Sequence, residues 1–144
     1  MVRPLLLPSL LSIALLAGCD SAESQRIEDT RSRLVGTWLR EPDADSVPSR
    51  RLLVLGAEGK FTERIVVPPQ GNAAERRELA GEWSYDGTHL KRRYLRENGR
   101  QFAGGSMRFA TFPLVSVGRA EMVVDDKIEG RPVTYRRVPE GTQP

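Results

Sequence analysis

Two changes of pattern divide the chain. Positions 5–16 form an apolar run interrupted by Pro8 and Ser12, and polarity sets in at once after Cys19 with Asp20-Ser21-Ala22-Glu23. Between 20 and 33, Ile27 is the only large apolar side chain, which predicts a polar tether. Ala, Glu, Gln and Arg also favour a short helix over 23–33, one without an apolar face. From Leu34 onward, short apolar runs are punctuated by Gly, Pro, Asn and Asp, as in antiparallel strands joined by hairpins. The candidate strands are 34–40, 51–55, 60–67, 75–85, 88–97, 107–112, 115–124 and 132–138. Gly56-Ala57-Glu58-Gly59 and Tyr85-Asp86-Gly87-Thr88 read as tight hairpin connections, and Asn98-Gly99 as a type I′ turn. Glu129-Gly130-Arg131-Pro132 ends on a proline that starts or edges a strand. No 3.6-residue apolar stripe follows Cys19. The expectation is an all-β fold, an antiparallel up-and-down meander of about eight strands that forms a barrel or half-barrel, closure being the arrangement that removes exposed edges.

The first 18 residues have the parts of a secretion signal: Arg3, the apolar run, and small residues Ala17-Gly18 before a cleavage point. The run is too short to span a membrane, which takes about 20 apolar residues. Leu16-Ala17-Gly18-Cys19 resembles the lipobox of bacterial lipoprotein precursors. That resemblance implies diacylation of the Cys19 thiol and cleavage just before it, so that palmitate-type chains hold the mature protein on a membrane of the cell envelope. An ordinary signal peptide with an incidental cysteine is the alternative, but an exported, unpaired thiol is a liability. Stable anchoring takes two or more acyl chains. Asp20 resembles the signal that retains enterobacterial lipoproteins in the inner membrane, facing the periplasm. The division expected is 1–18 signal peptide, 19–33 lipidated N-terminus and tether, and 34–144 barrel domain.

Charge and cysteine usage narrow the function. The chain has 22 Lys+Arg and 19 Asp+Glu, a net charge of +3, and only Arg3 of these lies in the leader. So small and dispersed an excess argues against nucleic acid as a partner. With the single cysteine committed to lipid, no thiol remains for disulfides, zinc or nucleophilic catalysis. No cofactor is expected.

Leu34-Val35-Gly36-Thr37-Trp38 and Leu79-Ala80-Gly81-Glu82-Trp83 share Leu-x-Gly-x-Trp and hold both tryptophans of the chain. Glycine lets a strand bend or another backbone approach, and a Trp two positions on faces the same side and can seal one end of a barrel. With Gly59-Lys60-Phe61 and the run from Gly81 through Asp86-Gly87 to Leu90, the pattern resembles the small bacterial lipocalin-like domains. The resemblance covers roughly 34–95 and implies a barrel that commonly holds small apolar ligands. Arg136 and Arg137 resemble the arginine that covers the Gly-x-Trp tryptophan in lipocalins. Val66-Val67-Pro68-Pro69 and Gly104-Gly105 depart from the pattern and would leave a barrel incomplete.

The strand at 88–97 carries the candidate binding chemistry. If Leu90 faces the core, alternation puts Arg92, Tyr94 and Arg96 on that side, suited to a carboxylate or phosphate head group. The arrangement is loosely similar to the carboxylate clamp of fatty-acid-binding barrels. A bulge after Leu90 would instead turn Arg92 and Arg96 to solvent, sparing an unpaired buried guanidinium. Trp38 and Trp83 read as core or as lining of the same site.

Catalytic signals are weak. His89, the only histidine, adjoins a turn; Gly104-Gly105-Ser106-Met107 is not a nucleophile elbow; Asp125, Asp126 and Glu129 lack a calcium loop's spacing; Glu82 and Asp86 need a pocket to act as an acid-base pair. The expectation is therefore a non-catalytic envelope module that holds a small amphiphile through Trp38, Trp83, Arg92, Tyr94 and Arg96. The competing expectation is a protein-interaction module docking an envelope protein, its barrel filled by Phe61, Trp83, Phe109 and Phe112.

Overall fold

The computed structural model describes residues 17–42, 48–69, 73–103 and 108–144. Most of the leader, including Leu16 of the lipobox, and the Gly104-Gly105-Ser106-Met107 stretch lie outside the described residues. A helix, α1 (Ala17–Leu34), precedes nine strands: β1 (Gly36–Arg40), β2 (Arg50–Leu55), β3 (Lys60–Val67), β4 (Glu75–Tyr85), β5 (His89–Glu97), β6 (Arg100–Gln101), β7 (Arg108–Val117), β8 (Glu121–Asp126) and β9 (Arg131–Val138). Every pairing is antiparallel. The ring runs β4-β3-β2-β1-β9-β8-β7-β5, and a β4–β5 pairing closes it. This is the expected antiparallel up-and-down barrel, of eight strands and complete. The two-residue β6 is a flap on β5 alone.

Closure survives Pro68-Pro69 because the prolines fall just past the end of β3, beyond its last paired residue Val67. The tight turns form where expected, and both Asn98 and Gly99 have positive φ, as a type I′ turn requires. Two strand readings are corrected, the first being that Leu34, expected to open the first strand, ends α1, so that β1 starts at Gly36. Residues 107–112 and 115–124 were expected to be separate strands, but 108–117 is one strand and the reversal comes at Arg119-Ala120, where the Gly118 amide donates to the Glu121 carbonyl. Pro113 is tolerated inside β7, opposite His89, while the next amide, Leu114, donates to Thr88 at 2.9 Å. A register skip between Leu114 and Ser116 then bends the strand past Val115.

The tether expected at 20–33 is helical. Its contact face is small: Ile27 lies against Gly87, Arg31 donates to the Ala57 carbonyl at 2.7 Å, and Leu34 is fully buried. Those i, i+4, i+7 positions place α1 against the turns at one end of the barrel. No helix among the described residues is long and apolar enough to cross a membrane.

The lumen holds one core built from Trp38, Leu53, Leu55, Phe61, Trp83, Leu90, Phe112, Met122, Val124, Val133 and Tyr135. Phe109, expected inside, is 63% exposed: it pairs with Arg93, on the outward phase of β5, and not with Arg92. Leu39 and Leu52 are also buried, although alternation turns them away from Trp38 and the lumen. The C-terminal tail leaves β9 at Val138 beside Thr37 and brings Gln143 to Arg64 on β3.

Candidate functional site

The two Leu-x-Gly-x-Trp copies make equivalent joints at the helix end of the barrel. The Trp38 indole N–H donates to the Leu34 carbonyl at 2.8 Å, and that of Trp83 to the Gly56 carbonyl at 2.9 Å. An arginine covers each ring: Arg137 lies 4.1 Å from the Trp38 centroid and Arg31 lies 5.1 Å from that of Trp83. Arg137 also donates to the carbonyls of Arg33, Val35 and Arg119. Of the arginine pair singled out in the sequence, Arg137 covers the tryptophan, while Arg136 is exposed on the outer face. Both glycines accommodate close approach. A Cβ on Gly36 would meet the Arg137 guanidinium at 2.2 Å, and one on Gly81 would meet the Arg93 carbonyl oxygen at 1.9 Å.

Arg92 is buried in the lumen and pairs with Glu63 at 2.9 Å, their side chains 4% and 2% exposed. Its guanidinium lies 4.4, 5.5 and 5.6 Å from the rings of Phe112, Tyr94 and Phe61. Burial alone would lower the Arg92 pKa, but the Glu63 carboxylate outweighs it and holds the guanidinium charged. Sequence reasoning missed Glu63. Its signal was present, since Phe61, Glu63 and Ile65 alternate onto one face, placing a lone acid on an apolar stripe. Arg40 enters the lumen in the same way, two positions after Trp38, where Glu129 and Asp126 take its charge.

Tyr94 follows Arg92 inward, and burial pushes its hydroxyl up to about 12. The alternation then breaks, because Gly81 pairs with Tyr94 while Ala80 pairs with Arg96, leaving Leu95 as a bulge. Arg96 is consequently exposed. The bulge falls three residues beyond Arg92, so Arg92 stays inside and the three candidates do not share one face.

Beside the bulge, a cleft of about 540 Å³ opens between β3, β4, β5 and the β6 flap. Phe61, Ala80, Tyr94, Leu95 and Phe102 supply its apolar walls, and Lys60, Arg93 and Arg96 its cations. Lys60 and Arg93 both bind Glu82. Of the five expected site residues, Tyr94 and Arg96 line this cleft, whereas Trp38, Trp83 and Arg92 belong to the packed lumen.

The other carboxylates singled out for chemistry are engaged by cations or amides. Hydrogen bonds from Lys60 and then Arg93 lower the Glu82 pKa. Asp86 is held well below the usual carboxylate range by Lys91, then by the backbone amides of Thr88 and His89. Neither carboxylate is poised to donate a proton near neutrality. Because the Asp86 pKa is lowered on folding, its contribution is fully present above the unfolded value and is lost as pH falls from there through the lower folded value. Asp86→Ala should therefore speed amide exchange at Thr88 and His89 at pH 7 and remove its acid dependence; unchanged exchange would assign the turn to Gly87 alone. Asp125 binds Lys127, and Glu129 binds Arg40 and Arg131. Among the described residues, no group of three or more His, Cys, Asp or Glu side chains could hold a metal.

These features define a class of protein: a closed eight-stranded barrel, stoppered by a helix, with a neutralised charge pair in its lumen and a cation-rimmed cleft in its wall. A lipocalin-like protein from Bacteroides uniformis ATCC 8492 is similar in structure, with a TM-score of 0.48 and 15% sequence identity over 74% of this chain and 99% of that one. No protein family matches the sequence, and no curated protein matches it.

Proposed function

We propose that this chain is a bacterial envelope lipoprotein, acylated at Cys19, whose barrel binds a small amphiphile without catalysis. The observation that carries the binding reading is the cleft at the β4–β5 bulge, where aromatic and aliphatic walls adjoin three cations in a volume suited to a small ligand. The leader and the Leu-Ala-Gly-Cys stretch support the anchor. After cleavage, α1 would run 16 residues from Cys19 to Leu34, about 24 Å of helix, as a stiff spacer to the barrel. Asp20 favours the inner membrane, with the barrel facing the periplasm.

The competing reading, a filled barrel that docks an envelope protein, is supported by the lumen: Arg92, Glu63 and the surrounding rings occupy the space a ligand would take in an open barrel.

Two measurements on the full chain expressed in a bacterium separate these. Intact mass should show loss of the leader and gain of acyl chains, while Cys19→Ala should leave the leader uncut with no acyl mass. Normal processing and release of Cys19→Ala would end the anchor reading. Gentle extraction followed by native mass spectrometry should show an added mass that denaturation removes. A bare protein that also takes up nothing from a lipid panel would leave the docking module standing in its place.

A further inference from the structure

We infer that the ligand site is the cleft at the β4–β5 bulge and not the lumen, and that it takes a single anionic head group on a short alkyl tail. The inference rests on the amphiphile reading above and assigns it a place and a charge. In the lumen, Arg92 is held by Glu63, which Arg51 also approaches at 3.9 Å, and is ringed by Phe61, Tyr94 and Phe112, so the space an incoming anion would need is already filled. Arg40 is likewise committed to Glu129 and Asp126.

The cleft is open, and it adds a further cation, Arg96, to a shared carboxylate. Glu82 is the one carboxylate bound by Lys60 and Arg93, which leaves an excess positive charge between them. Arg96, on the same cleft, has no side-chain partner among the described residues. Two units of uncompensated positive charge therefore face walls that are otherwise apolar. Leu95 contributes to those walls because the bulge places it there, 37% exposed, when regular alternation would have paired it across the strand. A carboxylate or phosphate between Arg96 and the Lys60–Arg93 pair, with its tail over Leu95, Tyr94 and Phe102, meets both halves of the surface.

Titration calorimetry of the full chain with four probes below their micelle concentrations tests this: dodecanoate, dodecyl phosphate, dodecanol and dodecyltrimethylammonium. The two anions should bind at least tenfold more tightly than the alcohol or the cation, and whichever anion binds better identifies carboxylate or phosphate as the preferred head. Arg96→Gln should weaken both anions about tenfold, the loss of one charge-assisted hydrogen bond, and leave the alcohol unchanged. The paired lumen change Glu63→Leu with Arg92→Met should leave binding as it is. Anion binding indifferent to Arg96→Gln but lost in the lumen pair would overturn the cleft assignment while keeping the amphiphile reading. Equal binding of the cationic probe would overturn the charge assignment. Failure of all four probes would overturn the amphiphile reading itself.

Discussion

Glu63→Leu is expected to lower the stability of the barrel by about 3–5 kcal/mol, seen as a fall in the urea midpoint at constant slope. The cost arises on the partner. Arg92 cannot leave the lumen or give up its proton, so truncating Glu63 strands a guanidinium among three aromatic rings. Arg51 does not ease this, being a further cation 3.9 Å from the same carboxylate. Replacing both partners, Glu63→Leu with Arg92→Met, should recover most of the loss or exceed the parent. The native pair is imperfect: Arg92 Nε and Glu63 Oε1 are buried without a hydrogen bond, and each such atom costs about 1–3 kcal/mol. The double-mutant cycle should therefore give a coupling well above that of the exposed pair Arg77–Glu97, whose class contributes under about 1 kcal/mol. A single Glu63→Leu cost below about 1 kcal/mol would mean that water reaches the lumen and the charge is not desolvated.

The outline of the barrel was legible because its information is local. Alternation and turn chemistry fixed β3 and β4 to the residue, and Asn98-Gly99 announced its own turn. The reading failed where a local rule met a tertiary exception. Pro113 reads as a strand terminator, but its missing amide costs nothing where no donor is needed, so β7 runs through it. The 20–33 segment has too few apolar residues for an amphipathic helix by composition. It is helical all the same, as its residues over 23–33 favour, and the barrel end supplies the contacts that an apolar face would otherwise make: Gly87 against Ile27 and the Ala57 carbonyl for Arg31.

The site was harder to read for the same reason. Arg92 looked like a ligand clamp because its partner lies 29 residues away, and only the register of β3 against β2 and β4 shows that Glu63 shares its side of the wall. The exit of Arg96 depends on where the bulge falls. Gly81 decides that position, since only a residue without a side chain allows the Arg93 carbonyl so near. The glycine was visible in the sequence as part of a repeated motif; that its second copy would shift the register of the facing strand was not.

The first copy of the motif carries the other large expectation. Trp38→Ala should cost about 3–5 kcal/mol, as for removal of a fully buried aromatic ring, and should free α1 from the barrel before the barrel itself unfolds. A helix ends with carbonyls that no following turn satisfies, and here barrel side chains satisfy three successive ones. Arg137 takes those of Arg33 and Val35, and the Trp38 indole takes that of Leu34. The Arg137 charge also sits at the negative end of the helix dipole. Trp38→Phe separates packing from capping, since it keeps most of the ring but strands the Leu34 carbonyl, for about 1–3 kcal/mol. Arg137→Ala does the reverse, leaving the indole bond while removing the ring cover and two of the carbonyl donors. If the joint works as described, both milder changes should speed amide exchange along α1 more than in β7 and β8. Uniform acceleration across helix and strands would mean that Trp38 is core filling alone, and that α1 is held by Leu34 and Arg31 without it.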